Sequence, residues 1–278
     1  MAQSFDVAQK AAVVTGGASG IGKGIAAALK QAGARVMIAD IEAEALARTQ
    51  AELGVEAQLV DVSDAQSVEA LAHAAVSAFG KVHILCNNAG VGPFAPVADL
   101  SLEDWRWLID VNLWGVIHGV HSFLPLLREH GEGGHIVNTS SMAGLCIVPH
   151  LAAYSVTKFG VAALTETLRI ESELYGYGVG TSLLCPGPVR TNIGKSSRNR
   201  PNSLADGALG DFELEDTNQF DGPVPWLSGE DVGEMVVQAI KTNAPYVITH
   251  PELADPVIAR HAAIEAAMQS PRPDDLSR

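Results

Sequence analysis

Cysteine is scarce in this chain: Cys86, Cys146 and Cys185 are the three thiols in 278 residues. Their odd number and wide spacing exclude a disulfide framework and offer no metal-site spacing. A reduced, cytoplasmic compartment is the expectation that follows. Basic residues are also few. Eighteen Lys and Arg against 32 Asp and Glu leave a formal net charge of −14, which argues against nucleic acid or an anionic membrane as a partner, because both require a basic surface. No apolar run reaches the ~20 residues of a membrane span. The stretch from Met1 to Lys10 carries Asp6 and no apolar core, so it does not read as a secretory leader. Hydrophobic residues make up 47% of the chain and charged residues 18%. That balance describes a packed globular protein rather than a disordered one.

What is present is an alternation of short apolar runs and longer helical segments. Lys10–Gly17, Arg35–Asp40, Val55–Asp61, Val82–Asn87, Gly134–Ser140, Val179–Cys185 and Tyr246–Thr249 read as strands. Helices are expected at Ile21–Gln31, Glu42–Leu53, Asp64–Phe79, Ser101–Glu129, Leu151–Tyr175, Ser228–Thr242 and Leu253–Met268, with Asp64 and Ser101 as caps. Gly115 and Gly119 interrupt the longest of these patterns. Strands alternating with helices of this length imply βαβ units, right-handed crossovers and a parallel sheet. The expected fold is α/β, a single-domain doubly wound (Rossmann-like) parallel sheet of about seven strands, over 1–278. Residues 192–226 lack periodicity and read as a substrate loop or lid. Residues 251–278 form a C-terminal extension ending in a loose tail.

Three constellations carry chemistry. The first strand runs into Thr15-Gly16-Gly17-Ala18-Ser19-Gly20-Ile21-Gly22. Gly16, Gly20 and Gly22 permit a tight turn and close approach to a pyrophosphate. Ser19 and Ile21 sit where the first helix opens and its N–H groups are unpaired. The second strand ends at Asp40, an acid placed to accept hydrogen bonds from both hydroxyls of an adenosine ribose and to repel a 2′-phosphate. NAD is therefore expected over NADP. Lys23 is the one basic residue near this loop. Asp61 and Val62 close the third strand, where Asp61 either reaches the adenine amino group or caps the turn. Finally, Tyr154 and Lys158 stand one helical turn apart and share a face. An ammonium beside a phenol lowers the phenol pKa, so the pair can exchange protons.

Taken in order with Asn87-Asn88-Ala89-Gly90, Asn112, Ser141 and Pro186-Gly187, these motifs make the chain resemble the short-chain dehydrogenase/reductase family over residues 10–250. The resemblance implies roles. Tyr154 is the general acid/base. Lys158 tunes it and binds the nicotinamide ribose. Ser141, 13 positions before Tyr154, donates to the substrate oxygen; its neighbour Ser140 is the competing choice. Asn112 holds a water that relays protons from Lys158, or else packs as a helix-interior polar group. Asn88, Ala89 and Gly90 line the adenosine ribose, and Pro186, Gly187, Val189 and Thr191 flank the nicotinamide. The resemblance also implies a homo-oligomer, a dimer or homotetramer, built on the helices at 101–129 and 151–175, where Trp105, Trp107 and Phe123 either supply apolar surface or pack in the core.

The expected activity is NAD-dependent oxidation of a secondary alcohol. The substrate is expected to be hydrophobic or aromatic, of medium size, and held by Ser141, Met142, Pro149, His150, Tyr154 and Trp226. The alternatives are an NADP(H)-dependent carbonyl reductase, a non-catalytic NAD-binding protein, and a dehydratase or epimerase with bound NAD. No metal is expected: His118 and His121 lack a third ligand at metal spacing. Cys146 is a candidate pocket residue, and Cys185 reads as core.

Overall fold

The computed structural model describes residues 5–204, 207–213 and 224–269. Its centre is a seven-stranded parallel sheet in the order β3-β2-β1-β4-β5-β6-β7. The strands are β1 (Ala11–Thr15), β2 (Arg35–Asp40), β3 (Glu56–Leu59), β4 (Ile84–Asn87), β5 (Gly134–Thr139), β6 (Val179–Cys185) and β7 (Tyr246–Ile248). The order reverses beside β1, and the crevice at the C-terminal ends of β1 and β4 is where such sheets bind ligands.

Alternate side chains of each strand feed opposite faces. Ala12, Val14, Val36, Ile38, Ile84 and Cys86 join one core with α1 (Gly20–Gln31), α2 (Ala43–Leu53) and α7 (Gly229–Thr242). Val13, Met37, Ala39, Leu85 and Ile136 join the other with α3 (Ala65–Phe79), α5 (Gly115–Glu129) and α6 (Ala152–Tyr175). Each fully buried Leu or Ile contributes about 1.5–3 kcal/mol through lost apolar exposure, so two filled faces fix the sheet rigidly under the site.

The expected helical segment over 101–129 proves to be α4 (Leu102–Ile109), a π turn (Asp110–Trp114) and α5 in one run. A π turn inserts one residue into the helical ladder, and here it carries the buried Asn112. The two glycines that weakened the helical pattern are explained by contact. A Cβ on Gly119 would lie 2.0 Å from Asn87 Oδ1, and one on Gly115 would lie 2.8 Å from Val62 Cγ2. Asp64 and Ser101 cap their helices, accepting from Gln66 N and Asp104 N respectively. Trp107 and Phe123 lie inside the protomer at 1% and 0% exposure, so of their two expected roles it is packing in the core that the fold gives them. The large apolar side chains left exposed over 102–129 and on α6 are Leu102, Trp114, Val156, Ile170, Leu174 and Tyr175. α8 (Asp255–Gln269) follows β7. No described helix is long and apolar enough to cross a membrane. The expected tail at 271–278 falls outside the described residues.

One buried titratable group bears on stability. Ser182 Oγ donates to Ala244 O, so it accepts from His135 Nε2 at 2.9 Å. Burial holds the His135 imidazole well below its ordinary 6.5, at about 3. Between those values the unfolded chain binds the proton and the folded chain does not, so stability falls as pH drops through the window. Each pKa unit corresponds to about 1.4 kcal/mol, and the expected loss is several kcal/mol. Thermal midpoints taken from neutral pH down through the window should fall less steeply in His135→Gln than in the wild type; parallel curves would contradict this.

Candidate active site

The cleft opens at the C-terminal ends of β1, β4, β5 and β6 and encloses about 270 Å³. At one end the glycine turn leads into α1. Ser19 occupies the N-cap position without a side-chain cap, and no acid stands in the first turn, so the helix offers unpaired N–H groups and its positive dipole end to an anion. Gly16, with φ +64°, leaves no room for a Cβ: Ala89 Cα would lie 2.8 Å away. Gly20, with φ +51°, sits under the Thr191 methyl. Thr15 Oγ1 accepts from Asn88 N and Ala89 N, and Asn88 Nδ2 donates back to Thr15 O and Gly16 O. The ends of β1 and β4 are therefore locked together beneath the turn.

Gly16, Ser19, Gly20, Ile21, Asp40, Asp61, Val62, Asn88, Ala89 and Gly90 all face the cleft. Gly22 does not. Its Cα packs on the Gly16 carbonyl, where a Cβ would meet the oxygen at 2.0 Å. Its part is to close the turn, a correction to its expected contact with the ligand. Asp40 accepts from Ala18 N at 3.0 Å and Glu42 N at 3.1 Å. Burial raises its carboxyl pKa, and those two N–H groups oppose the rise. Asp61 accepts from both the amide and the hydroxyl of Ser63, which is the turn-capping alternative. Lys23 pairs with Glu52 at 2.8 Å.

At the other end Tyr154 and Lys158 emerge from the first turns of α6 beside Ser141, with Pro186, Gly187, Val189 and Thr191 on the opposite wall. The Ser141 hydroxyl stands beside the Tyr154 phenol, favouring its charged form, and accepts from Ala143 N. Ser140 instead donates to Lys158 O at 2.8 Å, a structural tie, so the hydroxyl available to chemistry is that of Ser141. Lys158 is 3% exposed, and its Nζ donates to Thr139 O at 3.0 Å. Burial without a carboxylate partner brings its pKa down to about 8. Burial pushes the Tyr154 phenol up to about 12, and the Ser141 hydroxyl offsets only part of the rise.

Lys158 Nζ lies 5.4 Å from the Tyr154 ring centroid, and in the free protein desolvation of a phenolate sets the direction of the phenol pKa. Asn112 shows the packing of its second expected reading, a helix-interior polar group bonded to backbone. Its amide accepts from Val91 N and donates to Val91 O, each at 2.8 Å, and lies 3.4 Å from Thr157 Oγ1. It secures the Val91 backbone that walls the cleft.

Around the Ser141–Tyr154 pair the walls are Val91, Gly92, Met142, Val148, Leu151, Ile193 and Phe212. Pro149 and His150, expected at the substrate, instead line an outer groove that shares Val148 with the cleft. The chain turns outward at His150, whose φ is +64° and whose ring lies 6.3 Å from Phe94. Trp226 also stands outside the cleft lining; its carbonyl accepts from Arg190. Cys146 is buried behind Met142, donating to its carbonyl. Cys185 is core, as expected. The His118 ring engages Val62 O and stacks on Trp114.

The cleft fits a dinucleotide on its own features: an uncapped helix end, a carboxylate at the tip of β2, a buried ammonium with donors to spare, and Thr139 Oγ1, which has no partner among the described residues. Comparison with known proteins agrees. The family model described as short chain dehydrogenase matches residues 10–202. This chain belongs to the short-chain dehydrogenase family. Family membership makes it an oxidoreductase of a kind that uses NAD or NADP. A short-chain dehydrogenase/reductase from Burkholderia phymatum, solved in complex with NAD, is 37% identical. It aligns over 97% of this chain and 99% of its own, with a TM-score of 0.86. A C alpha-dehydrogenase from a Sphingobium species is 33% identical over 90% of this chain and 83% of its own length. A 3beta-hydroxysteroid dehydrogenase 2 from Eggerthella lenta is 39% identical over 69% and 75%.

Several cleft residues of this short-chain dehydrogenase had no sequence signal. Glu42 reaches the cleft from the head of α2, and Ile193, Arg198, Asn199 and Phe212 reach it because the segment after β6 folds back across it. Its lack of periodicity marked the segment as a lid, but not which residues point inward.

Proposed function

We propose that the protein is an NAD-dependent dehydrogenase that oxidises a medium-sized apolar secondary alcohol to a ketone, with Tyr154 as general base. The observation that carries this reading is the joining of Ser141, Tyr154 and Lys158, at the floor of an apolar-walled chamber, to a channel ending at Asp40. When bound, NAD accepts a hydride from the carbinol carbon and brings a positive charge to the site. Ser141 donates to the substrate oxygen and orients it toward Tyr154. Tyr154 takes the hydroxyl proton. Lys158, held by Thr139 O, presents its remaining N–H donors to ribose hydroxyls. Asn112 keeps Val91 in place against the chamber.

The phenol keeps its proton at neutral pH in the free protein, so the same residue serves as acid in the reverse, ketone-reducing direction. Asp40 supports NAD over NADP, because a carboxylate at that point repels a 2′-phosphate. The name of one relative, a hydroxysteroid dehydrogenase, supports an apolar alcohol, as does the Val91, Met142, Val148 and Phe212 lining. Residues 192–226 act as the substrate lid. The exposed apolar side chains of α6, Val156, Ile170 and Leu174 among them, support a homo-oligomer, and the buried free thiols suit a cytoplasmic setting. A panel of aryl and alicyclic secondary alcohols, assayed for reduction of NAD and of NADP, tests the proposal. NADH should appear with apolar members of the panel, and preferential reduction of NADP would overturn the cofactor assignment.

A further inference from the structure

The lid touches both ends of the cleft. Its 3-10 segment (Ile193–Asn199) begins at the chemistry: a Cβ on Gly92 would lie 2.7 Å from Ile193 Cγ1 and 3.5 Å from Tyr154 Cε2. Ser196 Oγ accepts from Gly92 N at 3.1 Å. Five residues on from Ile193, the same segment reaches the adenosine end. Arg198 donates to Glu42 Oε1 from Nη2 at 2.6 Å and from Nε at 3.1 Å, and Asn199 Nδ2 donates to the same oxygen at 3.0 Å. Glu42 lies two positions past Asp40 and donates its own backbone N–H to Asp40 Oδ1. Glu42, Arg198 and Asn199 all line the cleft.

Residues 211 and 212 are tied to this segment. Phe212 N donates to Gly194 O at 2.8 Å, Ser197 N donates to Asp211 Oδ1 at 3.0 Å, and Phe94 and Phe212 meet edge to face at 4.5 Å. Behind it, Arg200 pairs at 2.6 Å with Asp104, whose side chain is fully buried.

We infer that Glu42, Arg198 and Asn199 form a clasp that fastens the substrate lid over the adenosine half of the cleft. Lid closure at Tyr154 and retention of the dinucleotide are then one event. This rests on reading the cleft as an NAD site. The three are positioning residues: they hold the lid and take no part in proton or hydride transfer. The turn that presents Asp40 to the ribose is the same turn the lid grips, so opening the clasp frees the adenosine and withdraws Ile193 and Phe212 from the substrate chamber together. Because Arg198 and Glu42 are 38% and 31% exposed, solvent screens the pair. Its expected worth is that of a good surface network rather than a buried ion pair.

Stopped-flow fluorescence of NADH leaving the intact protein tests this without any alcohol. Glu42→Gln and Arg198→Met should each release NADH about fivefold faster, equivalent to about 1 kcal/mol. The double variant should be no faster than either single one, because both changes break one interaction. Reduced nicotinamide mononucleotide, which lacks the adenosine, should bind wild type and variants alike. Unchanged NADH release, additive effects, or an equal loss of the mononucleotide would overturn the clasp alone. Absence of NADH binding by the wild type would overturn the clasp and the NAD reading together.

Discussion

Tyr154→Phe is expected to lower kcat/KM for alcohol oxidation by about 10²–10⁴-fold while NADH affinity stays within about twofold. The substitution removes one oxygen and leaves the ring that packs near Gly92, so a structural explanation for the loss is weak. Burial puts the phenol at about 12 and Lys158 at about 8. The proton that oxidation must give up is thus firmly held, and the proton that reduction requires is in place. Oxidation by the wild type should accelerate as pH rises through neutrality, since phenolate becomes more accessible, whereas ketone reduction should show no such rise. The residual activity of the phenylalanine variant should lack this pH dependence. Near-normal turnover in the variant would remove Tyr154 from the chemistry.

Asp40→Ala is expected to weaken NAD use by roughly 10–100-fold, the range for losing charge-assisted hydrogen bonds to two hydroxyls. The effect has two sources. One is the lost acceptor for the ribose. The other is the turn itself, because Asp40 accepts from Ala18 N in the glycine loop and from Glu42 N at the head of α2. Removing the carboxylate also removes repulsion of a 2′-phosphate, so the NAD-to-NADP ratio of kcat/KM should fall further than NAD use alone. Kinetics with both cofactors separate the two contributions. An unchanged ratio would mean that Asp40 only shapes the turn.

The centre of the sheet was legible because strands such as β1 and β4 are compact, buried and mostly apolar runs, the form that parallel strands take, whereas the edge strand β3 (Glu56–Leu59) is half polar. Arg35–Asp40 and Val179–Cys185 match the structure residue for residue. The glycine turn, Asp40, Ser141, Tyr154 and Lys158 converge because each stands at a strand end or in the first turns of a helix, where topology dictates position. Contacts set by tertiary packing were not legible. Nothing local in Gly24, Gly229 or Gly233 shows that α1 and α7 cross with backbones touching, yet a Cβ on Gly24 would lie 1.9 Å from Gly229 O. The π turn that buries Asn112 has no periodic signature. The sign of the Tyr154 shift depends on how deeply α6 sinks the pair, which spacing does not encode. Pro149, His150 and Trp226 were placed at the substrate by proximity in sequence, but Pro149 and His150 line the outer groove while Val148 and Leu151 beside them line the cleft.

The most direct test is the product balance of the intact protein given NAD and an apolar secondary alcohol. Ketone and NADH should accumulate in equal amounts, with both lost in Tyr154→Phe. Conversion of the alcohol without NADH, as in dehydration or epimerisation, or no ketone from any apolar secondary alcohol, would contradict the assignment.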